Sequence, residues 1–115
     1  MTVMDEIAAE RRRQTTVEGW TPEHDDAHED GDLAAAGAIY AIHGASNDRA
    51  REGYPEGEPR LGWPFDRASW KPKDRRRDLI RAAALIAAEI ERMDRAEQRA
   101  NPMPDTFAEQ PGGAR

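Results

Sequence analysis

An all-α domain is what this sequence predicts, and three features predict it. An apolar stripe at helical spacing runs from Leu79 to Met93, alanine supplies 20 of the 115 residues, and no stretch alternates apolar and polar residues as a half-buried strand would. Together they predict a small three-helix domain over residues 1–100, with one long C-terminal helix, a long surface loop and a disordered tail over 101–115.

The first helix is expected over Val3 to Val17. Val3 with Ile7, and Met4 with Ala8, recur at four-residue spacing, while Glu10 and Arg11 to Arg13 form the wet side. Glu18-Gly19 ends it, glycine being the usual residue just past a helix. The stretch Gly19 to Asp32, GWTPEHDDAHEDGD, is too charged and too rich in turn formers to read as core. Asp30 or Asp32 then caps a second helix, Leu33 to His43, whose alanines and Gly37 imply close approach of another helix. Gly44 to Gly62, with its YPEGEPRLG pattern, reads as the surface loop. Trp63-Pro64-Phe65 re-enters the fold.

The third helix is the longest. Leu79, Ala83, Ile86, Ile90 and Met93 fall at steps of four, three, four and three, one face of an α-helix. Pro72 forbids an earlier helical run, Asp74 is the expected N-cap, and Pro102 closes the segment. From Asp74 to Arg99 the helix reaches about 39 Å at ~1.5 Å per residue, long against the ~13 Å radius of gyration of a 100-residue globule. Its end is therefore expected to project or to meet another chain. A chain with so few large apolar residues is expected to draw stability from a bound ligand or from a homodimer or higher homo-oligomer.

Bulk composition narrows the function. The net charge is −6, with ten acids against three arginines in residues 1–32 and ten bases against seven acids in 66–99. This argues against nucleic-acid binding, which wants a net basic surface, and suggests that the acidic front faces the basic centre. No cysteine is present, so thiolate metal sites and disulfides are excluded. No apolar run spans a bilayer and no signal peptide opens the chain, so a cytoplasmic protein with no membrane partner is expected.

Three constellations could carry chemistry. In Trp20 to His28, two histidines and three acids fall close together, but Pro22 and the acids favour a turn, and a solvated capping loop is preferred to a metal site. In the second, Trp63, Phe65 and Trp70 stand beside Arg67, Lys71, Lys73, Arg75, Arg76, Arg77 and Arg81, as a site for a flat ring and a phosphate would need. Arginines in the first turn of a helix oppose its dipole; either the acidic loop 23–32 or a bound anion offsets them. The third is Glu89, Glu91 and Asp94 with Glu6 and Glu10, which could hold Mg²⁺ across a bundle; a solvated face with pairs such as Glu91–Arg95 is the simpler reading.

The order of motifs resembles the ryanodine-receptor repeat (RyR) domain. The resemblance is carried by Arg13, Glu18-Gly19-Trp20-Thr21, Asp25-Asp26, Trp63-Pro64-Phe65 and Asp74-Arg75, over roughly residues 7–90. The Leu33 to Gly62 stretch departs from it, since the family has a short link there. RyR-type modules occur in bacterial and phage proteins and are associated with adenine-nucleotide-like ligands. Bacterial antiviral signalling uses ADP-ribose-type cyclic nucleotides, which phages counter with small sequestering proteins. The resemblance therefore implies a nucleotide-binding module without turnover and without a cofactor. Trp20, Trp63, Phe65 and Trp70 would contact the ring. Lys71, Arg75 and Arg76 would meet phosphates, Asp25 and Asp26 would serve ribose hydroxyls or orient the arginines, and Thr21 is counted among the binding residues. Two alternatives stand beside it. One is a MazG-like nucleotide pyrophosphohydrolase, against which the missing Glu-Glu-x-x-Glu run counts. The other is a module that docks on a host protein by its acidic front.

Overall fold

The computed structural model describes residues 1–101, and they form five α-helices and one 3-10 turn. The helices are α1 (Val3–Thr16), α2 (Pro22–Asp26), α3 (Asp32–Ala45), α4 (Asp48–Glu52) and α5 (Arg75–Ala100); the 3-10 turn is Arg67–Ser69. No strand occurs among the described residues. The all-α class, the three long helices and the long C-terminal one agree with the sequence. The tail beyond Asn101 lies outside the described residues.

Local chemistry places the helix ends. Thr2 and Asp5 form a reciprocal capping box on α1, each side chain accepting from the other's backbone N–H at 3.1 and 3.0 Å. Gly19, at φ +78°, takes the left-handed conformation that lets the chain turn back, so that Trp20 N donates to Gln14 O at 2.9 Å. Thr21 then caps α2 with Pro22 at its first position, inside the stretch expected to be a polar turn. At α3 neither Asp30 nor Asp32 is the cap. Gly31 occupies that position in the left-handed region without a side-chain bond, and Asp32 lies in the first turn, where its charge suits the dipole. Asn47 caps α4, which interrupts the expected loop. Asp74 caps α5 as expected, accepting from Arg77 N at 2.8 Å.

α5 is the spine. α3 packs along one side of it and α1 and α2 along another. Two glycines set how closely α3 approaches. A Cβ on Gly37 would stand 3.1 Å from Ala82 O and 3.0 Å from Ile86 Cγ1, and one on Gly44 would stand 2.8 Å from Leu79. Gly37 meets the middle of α5 and Gly44 its start, so the two helices run antiparallel. The core is Leu33, Ala36 and Tyr40 of α3, Ala82, Leu85 and Ala88 of α5, and Trp70, with Trp20, Ile39, Trp63, Phe65 and Tyr54 packed around it.

The face of α5 that the sequence marks as apolar is not the face it buries. Ile80, Ala84, Leu85 and Ala88 point inward, together with Asp78, Arg81, Glu89 and Arg92, whereas Leu79, Ile86, Ile90 and Met93 stay 42–54% exposed. The inward face tolerates charge because most of it is bonded, Nε of Arg81 alone among these four residues being buried without a hydrogen-bond partner within the described residues. Glu10, 1% exposed, accepts from Arg13, Gln14 and Arg77. Asp78, fully buried, accepts from Lys73 N and from Arg51, both at 2.8 Å. A buried charge is tolerable only when so satisfied, and no periodicity in the sequence reveals it.

The loop 46–74 is not a free surface excursion. Trp70 Nε1 donates to Tyr54 O at 3.0 Å, Gly57 N donates to Trp70 O at 3.0 Å, and Arg60 Nε donates to His43 Nδ1 at 3.0 Å. Lys71 N donates to the Tyr40 hydroxyl at 3.1 Å. These bonds wrap the loop around the Trp70 ring, which stacks on Tyr40 at 4.8 Å.

Candidate functional site

Two motifs distant in the chain meet at one groove. The turn after α1 presents Trp20, α2 and its exit present His24 and His28, and the re-entry segment presents Pro64, Phe65, Asp66 and Ser69. They enclose about 400 Å³, within the range of small-molecule sites. Trp20 and Phe65 lie 5.6 Å apart between ring centroids, Trp20 stacks on His24 at 6.1 Å, and His28 meets Phe65 edge-on at 5.1 Å. The imidazoles of His24 and His28 lie 4.6 Å apart.

Both imidazoles are held the same way. His24 Nδ1 lies 3.2 Å from Asp25 Oδ1, and His28 Nδ1 lies 3.2 Å from Asp32 Oδ2. A carboxylate accepts, so Nδ1 carries the proton and each Nε2 is left for other chemistry. Asp25 is 1% exposed, which overturns the expectation that its loop lies wholly in water. Burial pushes its carboxyl above the usual aspartate range, against the pull of His24, Arg11 and Arg95. Its Oδ2 is buried without a partner, as are Nε and Nη1 of Arg11 and Oε1 of Gln14.

The structure divides the sequence-marked residues. Trp20 and Phe65 line the groove. Trp63 is half-buried beneath it, at 5.9 Å from Phe65, and spends its indole N–H on Asp66 O and Ser69 Oγ. Thr21 caps α2. Trp70 is a correction: it is fully buried, and a ligand resting in the groove does not reach its ring. The basic residues turn elsewhere. Lys71 Nζ donates to Glu18 at 3.1 Å, Arg75 Nε to Gly44 O at 2.7 Å, and Arg76 reaches Glu6 with both terminal nitrogens at 2.8 and 2.7 Å. None of them lines the Trp20–Phe65 groove, so ring contacts and expected phosphate contacts are not brought together. Asp26 binds Arg95 and Arg99 of α5, and it is Glu6 and Glu10 of α1, not the loop 23–32, that offset Arg76 and Arg77.

Of the carboxylates considered for Mg²⁺, all but Asp94 are engaged with arginines of the described residues, Glu89 with Arg92 among them. Glu6 and Glu10 are tied to arginines, and Glu91 binds Arg11 at 2.7 Å instead of Arg95. Among the described residues no three histidines or acids converge on a metal-sized site. The acidic front is also largely spent internally, on Arg76, Arg77, Arg13, Lys71 and Arg95.

Sequence reasoning missed a second polar centre. His43 of α3 is 1% exposed, and burial, reinforced by the Arg51 and Arg60 guanidinium groups, pushes its pKa down to about 4. It borders a groove of about 480 Å³ with Arg51, Tyr54, Pro72 and Lys73. Nothing in the sequence links His43 to Arg51 or Arg60, because the loop alone brings them together. No helix among the described residues is long and apolar enough to cross a membrane. No family model, curated protein or solved structure matches the chain.

Proposed function

We propose that the chain is a small-molecule-binding module, and that its ligand is a phosphorylated nucleotide-type compound bound without turnover. The observation that supports this reading is the convergence of Trp20 and Phe65 on one groove with His24 and His28. Trp20 and Phe65 belong to two of the segments that carry the RyR-like resemblance, Glu18 to Thr21 and Trp63 to Phe65; His24 and His28 lie outside them. A planar base lies against Trp20 and Phe65, whose faces offer stacking area. Asp66 at the groove edge offers a carboxylate to sugar hydroxyls, while Ser69, whose proton goes to Asp66 O, can only accept. The anionic part faces the free Nε2 positions of His24 and His28, which donate when protonated. A role as a phage protein sequestering an ADP-ribose-type immune signal is the biological form of this proposal.

Thermal denaturation and tryptophan fluorescence test it with ADP-ribose, cyclic ADP-ribose-type molecules, ATP and cyclic dinucleotides. A ligand of the proposed class raises the melting temperature and quenches fluorescence in the native chain, and loses both effects in Phe65→Ala. No shift with any member of the panel removes the reading and leaves a protein-interaction module as the better account.

A further inference from the structure

We propose that the exposed face shared by α3 and α5 is a self-association surface, on which a second copy of this chain packs antiparallel to form a four-helix core. This stands apart from the ligand groove and does not depend on it.

The face is apolar and continuous. Leu79, Ala83, Ile86, Ile90 and Met93 repeat at four- and three-residue steps along α5, the spacing of a coiled-coil seam. Four of them are large and about half exposed, at 44% for Leu79, 42% for Ile86 and 54% for both Ile90 and Met93. Leu79 and Ile86 overhang Gly44 and Gly37 of α3. One position further round α3 lie Ala38, Ala45 and Ile42, all exposed, Ile42 at 52%. α3 carries no Asp, Glu, Lys or Arg from Leu33 to Ala45. An apolar patch of this extent is commonly a protein's largest and is often functional.

The chain's own core makes the case for a second copy. Of the nine buried hydrophobic residues among those described, Ala36, Ala82, Ala84 and Ala88 are alanines, so this part of the chain buries little apolar surface on its own. From Leu79 to Met93 the face is about 21 Å long, and two helices are roughly 20 Å wide. Its projected footprint is about 400 Å², about half the ~800 Å² per partner of a standard interface.

Charge fixes the direction. The seam ends at exposed Arg76, which also pairs with Glu6 of its own chain, on one side and at exposed Glu97 on the other. A parallel pair would set Arg76 against Arg76 and Glu97 against Glu97. An antiparallel pair sets Arg76 of one copy opposite Glu97 of the other, places the two-fold axis beside Ile86, and brings Ala83 opposite Ile90, small against large. The same surface then serves both copies, as a two-fold interface requires.

Sedimentation equilibrium of the full chain tests the proposal. At micromolar concentration it gives twice the 12.9 kDa chain mass. Ile90→Glu raises the dimer dissociation constant by about 100-fold or more, the effect of an unpaired charge in an apolar contact, while its far-ultraviolet circular dichroism stays native. Because the chain has no cysteine, direction is read by crosslinking. Mixed Arg76→Cys and Glu97→Cys chains form a disulfide with each other, and neither forms one alone. A full-length monomer at 100-fold higher concentration, or a dimer indifferent to Ile90→Glu, overturns the interface. Self-crosslinking of Arg76→Cys overturns the antiparallel arrangement. A chain ended at Asn101 that dimerises where the full chain does not assigns the face to the tail instead.

Discussion

Arg77, in the first turn of α5, donates to Glu10 in the middle of α1, and this contact spans 67 residues of sequence. Glu10 is 1% exposed and also receives Arg13 and Gln14. It is the acid that offsets cations at a helix start where the dipole disfavours them. Glu10→Ala would leave several guanidinium groups facing a partly dry interior. The expected loss is about 3 kcal/mol of unfolding free energy, measured by urea denaturation. Arg76→Ala, which breaks an exposed pair with Glu6, should change stability far less.

Acid should destabilise the fold through His43. Its pKa is about 4 in the folded chain, below the ordinary 6.5. The unfolded chain therefore binds this proton first as pH falls. The stability His43 contributes is complete above pH 6.5 and is lost on descent towards pH 4. By linkage the loss is about 2–3 kcal/mol between pH 7.5 and 4.5. His43→Gln keeps an acceptor for Arg60 but does not titrate, so its unfolding free energy should vary much less over that window.

Gly37 is a packing requirement, not a turn. Adding a methyl group there meets the Ala82 carbonyl at 3.1 Å, and a helix backbone does not move aside as a side-chain tip can. Gly37→Ala should cost about 1–3 kcal/mol. Gly31→Ala meets no atom but sits at φ +81°, so its cost is backbone strain alone. Melting temperatures of the two variants, with α3 helicity by circular dichroism, separate the mechanisms.

Trp70 and Trp20 should part company. Trp70 is fully buried and bonded to Tyr54 O, so Trp70→Ala should cost about 3–5 kcal/mol in any buffer. Trp20→Ala should cost less and abolish the ligand-induced shift proposed for the groove. Equal ligand responses in Trp20→Ala and the native chain would detach Trp20 from the site.

How much was legible follows from the kind of information each feature needs. Helix class, the Asp74 cap, the break at Gly19 and the pairing of an acidic front with a basic centre are local or compositional, and the sequence by itself determined them. The pairing partners were not legible: Asp26 reaches Arg95 and Arg99, and Glu91 reaches Arg11, across about 70–80 residues. Trp20 and Phe65 could be named as ring carriers from their motifs, but that Trp70 belongs to the core and the basic cluster does not join the groove was decided by how the loop folds around Tyr40. The orientation of α5 is the clearest case. Periodicity marks the face of Leu79, Ile86, Ile90 and Met93 as apolar, yet the tertiary structure turns toward α1 and α3 a face holding Asp78, Arg81, Glu89 and Arg92. Hydrophobic spacing reports which residues avoid water. It does not report that Glu10, Arg51 and the Lys73 backbone stand ready to satisfy buried charges, and those partners exist only once the helices have packed.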